Sequence, residues 1–385
     1  MTIVYYSTPW FMDCDLPLVK AMIEQGNTVY YIMVVSPSSA NATLLNNCKL
    51  FEDYSIHHAV EYDCLNIFKN YINIDNFFIV NIPKDGLRSF KAIVNLWCLH
   101  RKVLSFIRSF NPDVYHVSGI QRTFEYLKAY ALKKILVTTM HDPIPHDLSS
   151  VSKVKYKTAK MFFRLPKKII LLNNQQTKAF CQRYQIDKER IAYSRLGVYE
   201  CTKLFASLEN SRKFSYVLFF GRIQQYKGVE LLIRAMRIVH EYCPELKLVI
   251  AGKGNINETW DESYIEVNNR FIESNELANM LRFCEFTICP YLSATQSGVV
   301  TTAFSMEIPV IATNVGGMKE SVKDGETGLL VEPNNEKKLA EAIILLHKNQ
   351  EMRNSFIDNI KRENSEGIFS WKRIASIYSN IYKQL

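Results

Sequence analysis

Apolar, β-branched runs alternate with helix-length amphipathic segments along the whole chain, which is the pattern of parallel sheets joined by crossover helices. In the first half IVYY (3–6), TVYYIMVV (28–35), FFIVNI (77–82), VYHV (114–117), ILVTT (135–139) and KIILL (168–172) read as strands. A helix fits Leu16 to Gln25, with Asp15 as its N-terminal cap and Gly26 closing it. In the second half SYVLFF (215–220), KLVIA (247–251), FTIC (286–289), PVIA (309–312) and LLV (329–331) repeat the pattern. Gly197 to Lys213 shows neither period and reads as an interdomain connection. The pattern predicts an α/β protein of two doubly wound domains facing each other. Ligands of open α/β sheets bind beyond the carboxyl ends of the strands, so the residues just after each strand are the candidates.

Length agrees with this division, because 385 residues exceed what one core usually holds. Nine cysteines without CxxC pairs argue against a disulfide framework and suit a reducing cytosol. Cys284 and Cys289 flank a strand and read as buried small apolar residues rather than metal ligands. No signal peptide is visible, and no segment approaches the roughly 18 uninterrupted apolar residues of a membrane span, so a cytoplasmic protein is expected.

Charge changes the picture in one place. The net charge is +9, and residues 148–186 hold nine Lys and Arg and no acid. Within that stretch Lys153, Lys155 and Lys157 alternate with Val154 and Tyr156, and Met161, Phe162 and Phe163 follow. This composition suits an anionic membrane surface or a phosphate-bearing acceptor; the alternative is a solvated helix face whose aromatics are core.

Three loops of the second half are chemically pointed. In FFGRIQQYKGVELLIRA, residues 219–235, a strand ends at Gly221, and Arg222 and Lys227 precede a helix, where two cations could neutralise a diphosphate. AGKG, with Gly252, is another strand-to-glycine turn that lets backbone approach a ligand. SATQSGVVTTAFS carries no charge, but N–H groups at Gln296, Ser297, Gly298 and Val299 could form an anion-binding helix start.

Together with PVIATNVGGMKESVKDGETGLLVEP, these ordered motifs resemble the donor-binding domain of glycosyltransferase family 4, a retaining GT-B family. HDPIPHD, beginning at His141, resembles the family's histidine-bearing loop, and FSWKRIASIYSNIYKQL its closing helix. The resemblance implies a GT-B fold: two Rossmann-like domains across a cleft. Residues 1–196 would receive the acceptor, 197–213 would link, 214–364 would bind a nucleotide sugar, and 365–385 would form a helix crossing back. It further implies that Arg222 and Lys227 hold the donor diphosphate, with Gly221, Gly252 and the Gln296–Val299 amides beside it, and that His141 reaches the sugar. Asp13, His116, Lys153, Lys155 and Lys157 are the acceptor-side candidates.

The sequence departs from the family in particular positions. Ala294 and Thr302 stand where an E-x7-E pair of glutamates would grip sugar and ribose, which leaves the Thr302 hydroxyl as the remaining candidate for the ribose. A Gly-Gly loop after the first strand is replaced by STPWFMDCD, and an HxH pattern is reduced to His116 and Ser118. With no carboxylate nucleophile in this loop, front-face retaining transfer is favoured over double displacement. No metal and no cofactor are expected. The expected partners are a UDP- or GDP-sugar, a glycan or lipid-linked acceptor and an anionic membrane, with no nucleic acid; the setting would be bacterial surface polysaccharide synthesis. A sugar-nucleotide 2-epimerase and a non-catalytic partner subunit of the same fold are the competing readings.

Overall fold

The computed structural model describes residues 1–385 except 40, 41, 43, 46, 47, 85–88, 120–124, 145–152, 208–211, 295 and 296, and except the side chains of Lys153 and Lys155. The chain divides into two compact units, Met1–Leu196 with Trp371–Leu385, and Gly197–Ser370.

The first unit runs β1 (Thr2–Ser7), α1 (Met12–Glu24), β2 (Thr28–Val35), β3 (Ser55–His58), β4 (Phe77–Asn81), α2 (Phe90–Ser109), β5 (Val114–Ser118), α3 (Glu125–Ala131), β6 (Leu136–Met140), α4 (Lys153–Phe163), β7 (Lys168–Leu171), α5 (Thr177–Tyr184) and β8 (Ile191–Tyr193). Its eight strands are ordered β3-β4-β2-β1-β5-β6-β7-β8. Every pairing is parallel except β3 with β4, which is antiparallel. Buried residues of α2, α3, α4 and α5, such as Leu99, Ala129, Phe163 and Phe180, form one core cluster with the strands, so these four helices cover the same side of the sheet. The central strands are buried on both faces, which is why their sequences are near-continuous apolar runs.

Several details differ from the sequence reading. The first helix starts at Met12, three residues before the expected cap. Asp15 lies inside it, 1% exposed, and accepts hydrogen bonds from the hydroxyls of Tyr5 (2.8 Å), Ser7 and Tyr31 (3.4 Å). It is a buried polar anchor rather than a cap. Gly26 closes the helix with a left-handed φ of 83°. Cys48 and Cys64 are joined in a disulfide, against the expectation that the cysteines stay unpaired, and the remaining seven are free.

The second unit runs β9 (Tyr216–Phe220), α6 (Val229–Tyr242), β10 (Lys247–Ala251), β11 (Ile265–Asn268), α7 (Ser274–Phe283), β12 (Thr287–Cys289), α8 (Gly298–Ser305), β13 (Val310–Thr313), α9 (Met318–Ser321), β14 (Gly328–Val331), α10 (Glu336–Lys348) and α11 (Gln350–Ser365). Six parallel strands are ordered β11-β10-β9-β12-β13-β14. The stretch from Gly197 packs with this unit: the Tyr199 N–H donates to the Thr301 carbonyl at 3.2 Å.

The last helix, α12 (Trp371–Tyr382), packs on the first unit. Gln25 at the end of α1 donates to the Lys372 carbonyl (2.8 Å) and to Ser376 (2.9 Å). Deeper in, the Tyr382 hydroxyl lies 2.8 Å from His116 Nδ1 and Tyr378 meets the Thr139 hydroxyl at 3.1 Å.

Candidate functional site

In the second unit, backbone pairing continues past the sheet. The Gly221 N–H donates to the Ala251 carbonyl (3.0 Å) and the Ile223 N–H to the Lys253 carbonyl (2.9 Å), with a bridge between Ile223 and Gly254. This zipper explains the glycine at 252, because a Cβ there would lie 1.8 Å from the Gly221 carbonyl oxygen. Gly228 is likewise fixed by its left-handed φ of 69° and by the Pro290 carbonyl, which a Cβ would meet at 2.0 Å.

The loop after β9 is tied to the one after β12 and to the start of α8. The Leu292 N–H donates to the Tyr226 carbonyl at 2.8 Å. Lys227 Nζ sits 3.9 Å above the ring of Tyr291, whose hydroxyl is 3.3 Å from Ser297 Oγ. A Cβ on Gly221 would touch Val299 at 3.6 Å. Arg222, Lys227, Gly221, Gly252, Ser297, Gly298 and Val299 therefore belong to one knot of three loops beyond the carboxyl ends of β9, β10 and β12.

The electrostatics of the knot are one-sided. Arg222 is exposed and Lys227 half-buried, and neither has a carboxylate partner among the described residues. Burial pushes the Lys227 ammonium down to about 8, and the Arg222 guanidinium pushes it the same way. Ser297 at the N-cap of α8 makes no side-chain cap, so the first-turn amides are left without that partner. Among the described residues, cations without carboxylate partners beside helix amides that the Ser297 side chain does not cap have the chemistry to receive a doubly charged anion.

Gln296 lies outside the described residues. Thr302 is not open to a ligand: it is 8% exposed and its hydroxyl donates to the Gly298 carbonyl at 2.7 Å. Its proton is committed within its own helix, so the expected ribose contact is limited to the acceptor lone pairs of a buried hydroxyl. Ala294 is half-buried, and its carbonyl accepts from the Gly317 N–H at 3.2 Å.

In the first unit, His141 follows β6 directly. Its ring stacks on Phe11, with centroids 4.0 Å apart, and its Nε2 lies 3.0 Å from Ser118 Oγ. Ser118 Oγ also donates to Asp15 Oδ1 at 3.2 Å. A hydroxyl has one proton, so when Asp15 is ionised Ser118 donates to it and must accept from His141 Nε2–H. Burial pushes His141 down to about 3, which keeps the imidazole neutral and leaves Nδ1 as the ring nitrogen with a lone pair to offer. Burial raises the Asp15 carboxyl to about 7, while hydrogen bonds from Ser7, Tyr5, Ser118 and Tyr31 oppose the rise. The sequence reading had Ser118 only as the remnant of a lost histidine; here it links a buried acid to the candidate histidine.

The acceptor-side residues divide. Asp13, in the first turn of α1, is half-buried and its carboxyl is raised to about 7 by burial. His116 has no exposed surface, stacks on Tyr5 with centroids 4.5 Å apart, and is held by Tyr382 and Thr139, so it is a core residue and cannot meet an acceptor. Lys157 is exposed, and the side chains of Lys153 and Lys155 lie outside the description.

Among the described residues, two groups of side chains have metal-ligand chemistry, Cys14–Asp15–His141 and Cys243–Glu245–His347. In the first, Asp15 is engaged by four hydroxyls and Cys14 Sγ is directed at the Phe11 carbonyl. In the second, His347 spends one ring nitrogen on Glu245 (2.9 Å) and the other on Glu285 (3.0 Å). Both sets are satisfied as hydrogen-bond and ion-pair networks.

Comparison with known proteins bears on what this arrangement serves. The family described as Glycosyltransferase Family 4 matches residues 18–198, and Glycosyl transferases group 1 matches residues 202–363. The chain belongs to the group 1 glycosyltransferases. A capsular polysaccharide biosynthesis glycosyltransferase, CapM, of Staphylococcus aureus is 25% identical to this group 1 glycosyltransferase over 80% of the chain and 78% of the relative. An uncharacterized glycosyltransferase of Methanocaldococcus jannaschii is 30% identical over 46% of the chain and 50% of the relative, so the match spans about half that protein. The fold is GT-B: the structure of Anabaena HepE in complex with UDP-glucose superposes with a TM-score of 0.64 at 14% identity, covering 100% of both chains.

Proposed function

We propose that this group 1 glycosyltransferase moves a sugar from a UDP- or GDP-linked donor to a glycan or lipid-linked acceptor with retention of configuration, in the making of a bacterial surface polysaccharide. The observation that carries the donor half is the knot around Arg222 and Lys227. Two cations without carboxylate partners lie in the same loop knot as the uncapped amides of α8 and the glycine-lined zipper of 221–223 with 252–254. Such a seat stabilises the diphosphate most as its charge grows, the electrostatic effect that contributes most in group transfer.

In the reaction the bond from the anomeric carbon to the β-phosphate oxygen breaks, and the acceptor oxygen bonds to the same face of that carbon. The acceptor's proton passes to the departing phosphate oxygen. Arg222, Lys227 and the α8 amides carry the charge left on the diphosphate, without needing a metal. The neutral His141, oriented by Ser118 and Asp15, offers Nδ1 to a sugar hydroxyl. The glycan acceptor and the surface-polysaccharide setting are supported by the name of the CapM relative, and the UDP-linked donor by the ligand in the HepE structure.

Thermal shift with a panel of UDP- and GDP-sugars tests the donor, since a ligand bound only by the native state raises the melting temperature. With the stabilising donor, Arg222→Ala or Lys227→Ala should each lower turnover by about a hundredfold, the scale of removing one preorganised charge-stabilising donor, with melting temperature kept. Full turnover in both variants would remove the diphosphate role. Isomerised donor without transfer to any acceptor would turn the reading to an epimerase.

A further inference from the structure

The basic stretch of residues 148–186 has its aromatics turned inward. Phe162 and Phe163 are 2% and 0% exposed, and the Tyr156 hydroxyl donates to the Arg183 carbonyl at 2.8 Å. Further exposed apolar residues on this side of the sheet come from a helix the sequence had not singled out. On α2, Leu96, Leu99, Val103 and Ile107 face the core, while Phe90, Val94 and Trp97 are 80%, 40% and 44% exposed. Their i, i+4, i+7 spacing makes a stripe along the outer face, and Ile93, 39% exposed, widens it.

Neighbouring helices continue the surface. α3 exposes Leu127 (50%) and Tyr130 (54%), and α4 exposes Val154 (73%) and Met161 (49%). Cations border these residues. The Arg101 guanidinium lies 4.8 Å above Trp97, Lys133 Nζ lies 4.5 Å above Tyr130, and Lys157 on α4 and Arg164 just after it are exposed. Residues 90–109, 126–135 and 148–186 contain no Asp or Glu, so no acid on these helices is exposed to offset the cations; Glu125 is buried against Lys128 at 2.6 Å.

We propose that the outer face of α2, α3 and α4 docks on an anionic lipid bilayer, with Phe90, Val94 and Trp97 entering the headgroup boundary. Charge complementarity calls for an anionic partner, and the apolar residues decide which one. A nucleic acid would use the cations and stack on Trp97, but it has no place for Ile93, Val94, Leu127, Val154 and Met161, which need hydrocarbon. Arg101 over Trp97 and Lys133 over Tyr130 suit the interface, where an aromatic body is buried and a cation reaches the phosphate layer. Phe90 opens α2 and Val154 lies in the first turn of α4, so these two apolar residues lie toward the carboxyl edge of the sheet, where His141 also sits. Resting on the transfer reading, that position would bring a lipid-borne acceptor to the edge where the histidine acts. Docking itself requires neither donor nor acceptor.

Cosedimentation of the full chain with vesicles tests the docking. Phosphatidylcholine vesicles containing about one-third phosphatidylglycerol should bind the protein at low salt and, more weakly, at physiological salt, while pure phosphatidylcholine should not. The double variant Phe90→Ser, Trp97→Ser should bind about tenfold or more weakly with an unchanged melting temperature. Arg101→Glu should weaken binding as well, and Lys372→Glu on α12 should leave it unchanged. An environment-sensitive fluorophore on Cys98, an exposed free cysteine of α2, should shift to the blue on anionic vesicles. No binding at low salt would overturn the proposal. So would undiminished binding by the Phe90/Trp97 variant, which would leave a polyanion patch, or a dimer lost with Trp97→Ser in the absence of vesicle binding, which would make the occupant a second copy.

Discussion

Lys227 is held where its proton is weakly bound. Burial is the main cause, since the ammonium sits against Tyr291 and Tyr226 with no carboxylate among the described residues, and Arg222 adds like charge. The free protein therefore begins to lose this charge near pH 8, while a bound diphosphate would hold it on. The sign follows from linkage: the complex retains a proton that the free site gives up, so donor affinity is constant below about pH 8 and falls by up to about tenfold per pH unit above it. Lys227→Arg should flatten this dependence, because a guanidinium stays charged throughout. Calorimetric titration of the stabilising nucleotide sugar between about pH 7 and about 9 checks both statements, and equal slopes for the two proteins would remove Lys227 from the diphosphate. The role proposed for Arg222 and Lys227 was suggested by spacing before a glycine and a helix. That of Ser118 was not legible, because nothing in its sequence neighbourhood announces that Asp15, 103 residues away, and His141 converge on it.

Among elements, those with long apolar runs were legible and the short mixed ones were not. TVYYIMVV and KLVIA announce buried parallel strands by composition alone. SIHH, IAY and IEVN form β3, β8 and β11 at or near sheet edges, where burial on one side only leaves a weak pattern. The start of α1 was misplaced because an acid before an apolar run reads as a cap, whereas tertiary hydroxyls from β1 and β2 draw Asp15 into the core. Glycines show a similar division between local and tertiary causes. Gly26 ends a helix with nothing within 4 Å of a Cβ, so Gly26→Ala should cost only the left-handed strain, about 1 kcal/mol. Gly252→Ala must also push apart the backbone zipper at Gly221, and should cost about 2–3 kcal/mol and weaken donor binding. Urea unfolding with donor thermal shifts compares them. Equal losses and equal donor response would mean that the close approach of 221 and 252 is unimportant to the site.

At the scale of the whole molecule, the features divide by unit. The features proposed to seat the diphosphate, which are Arg222, Lys227, the 221–254 zipper and the first turn of α8, belong to Gly197–Ser370. The neutral histidine with its Ser118–Asp15 support and the cationic outer face belong to the other unit, which α12 completes through Tyr378 and Tyr382. A nucleoside diphosphate without a sugar should therefore be recognised by the second unit alone. Hydrogen exchange with UDP or GDP, whichever stabilises the chain, should slow at residues 221–228, 252–254 and 297–300, and most in the first turn of α8, where amides lacking a cap gain phosphate oxygens as acceptors. Under the role proposed for His141, adding the sugar should extend the slowing to the residues around it. Exchange slowed around 118 and 141 by the nucleoside diphosphate alone, to the same degree as in α8, would place diphosphate recognition in the first unit and overturn this division.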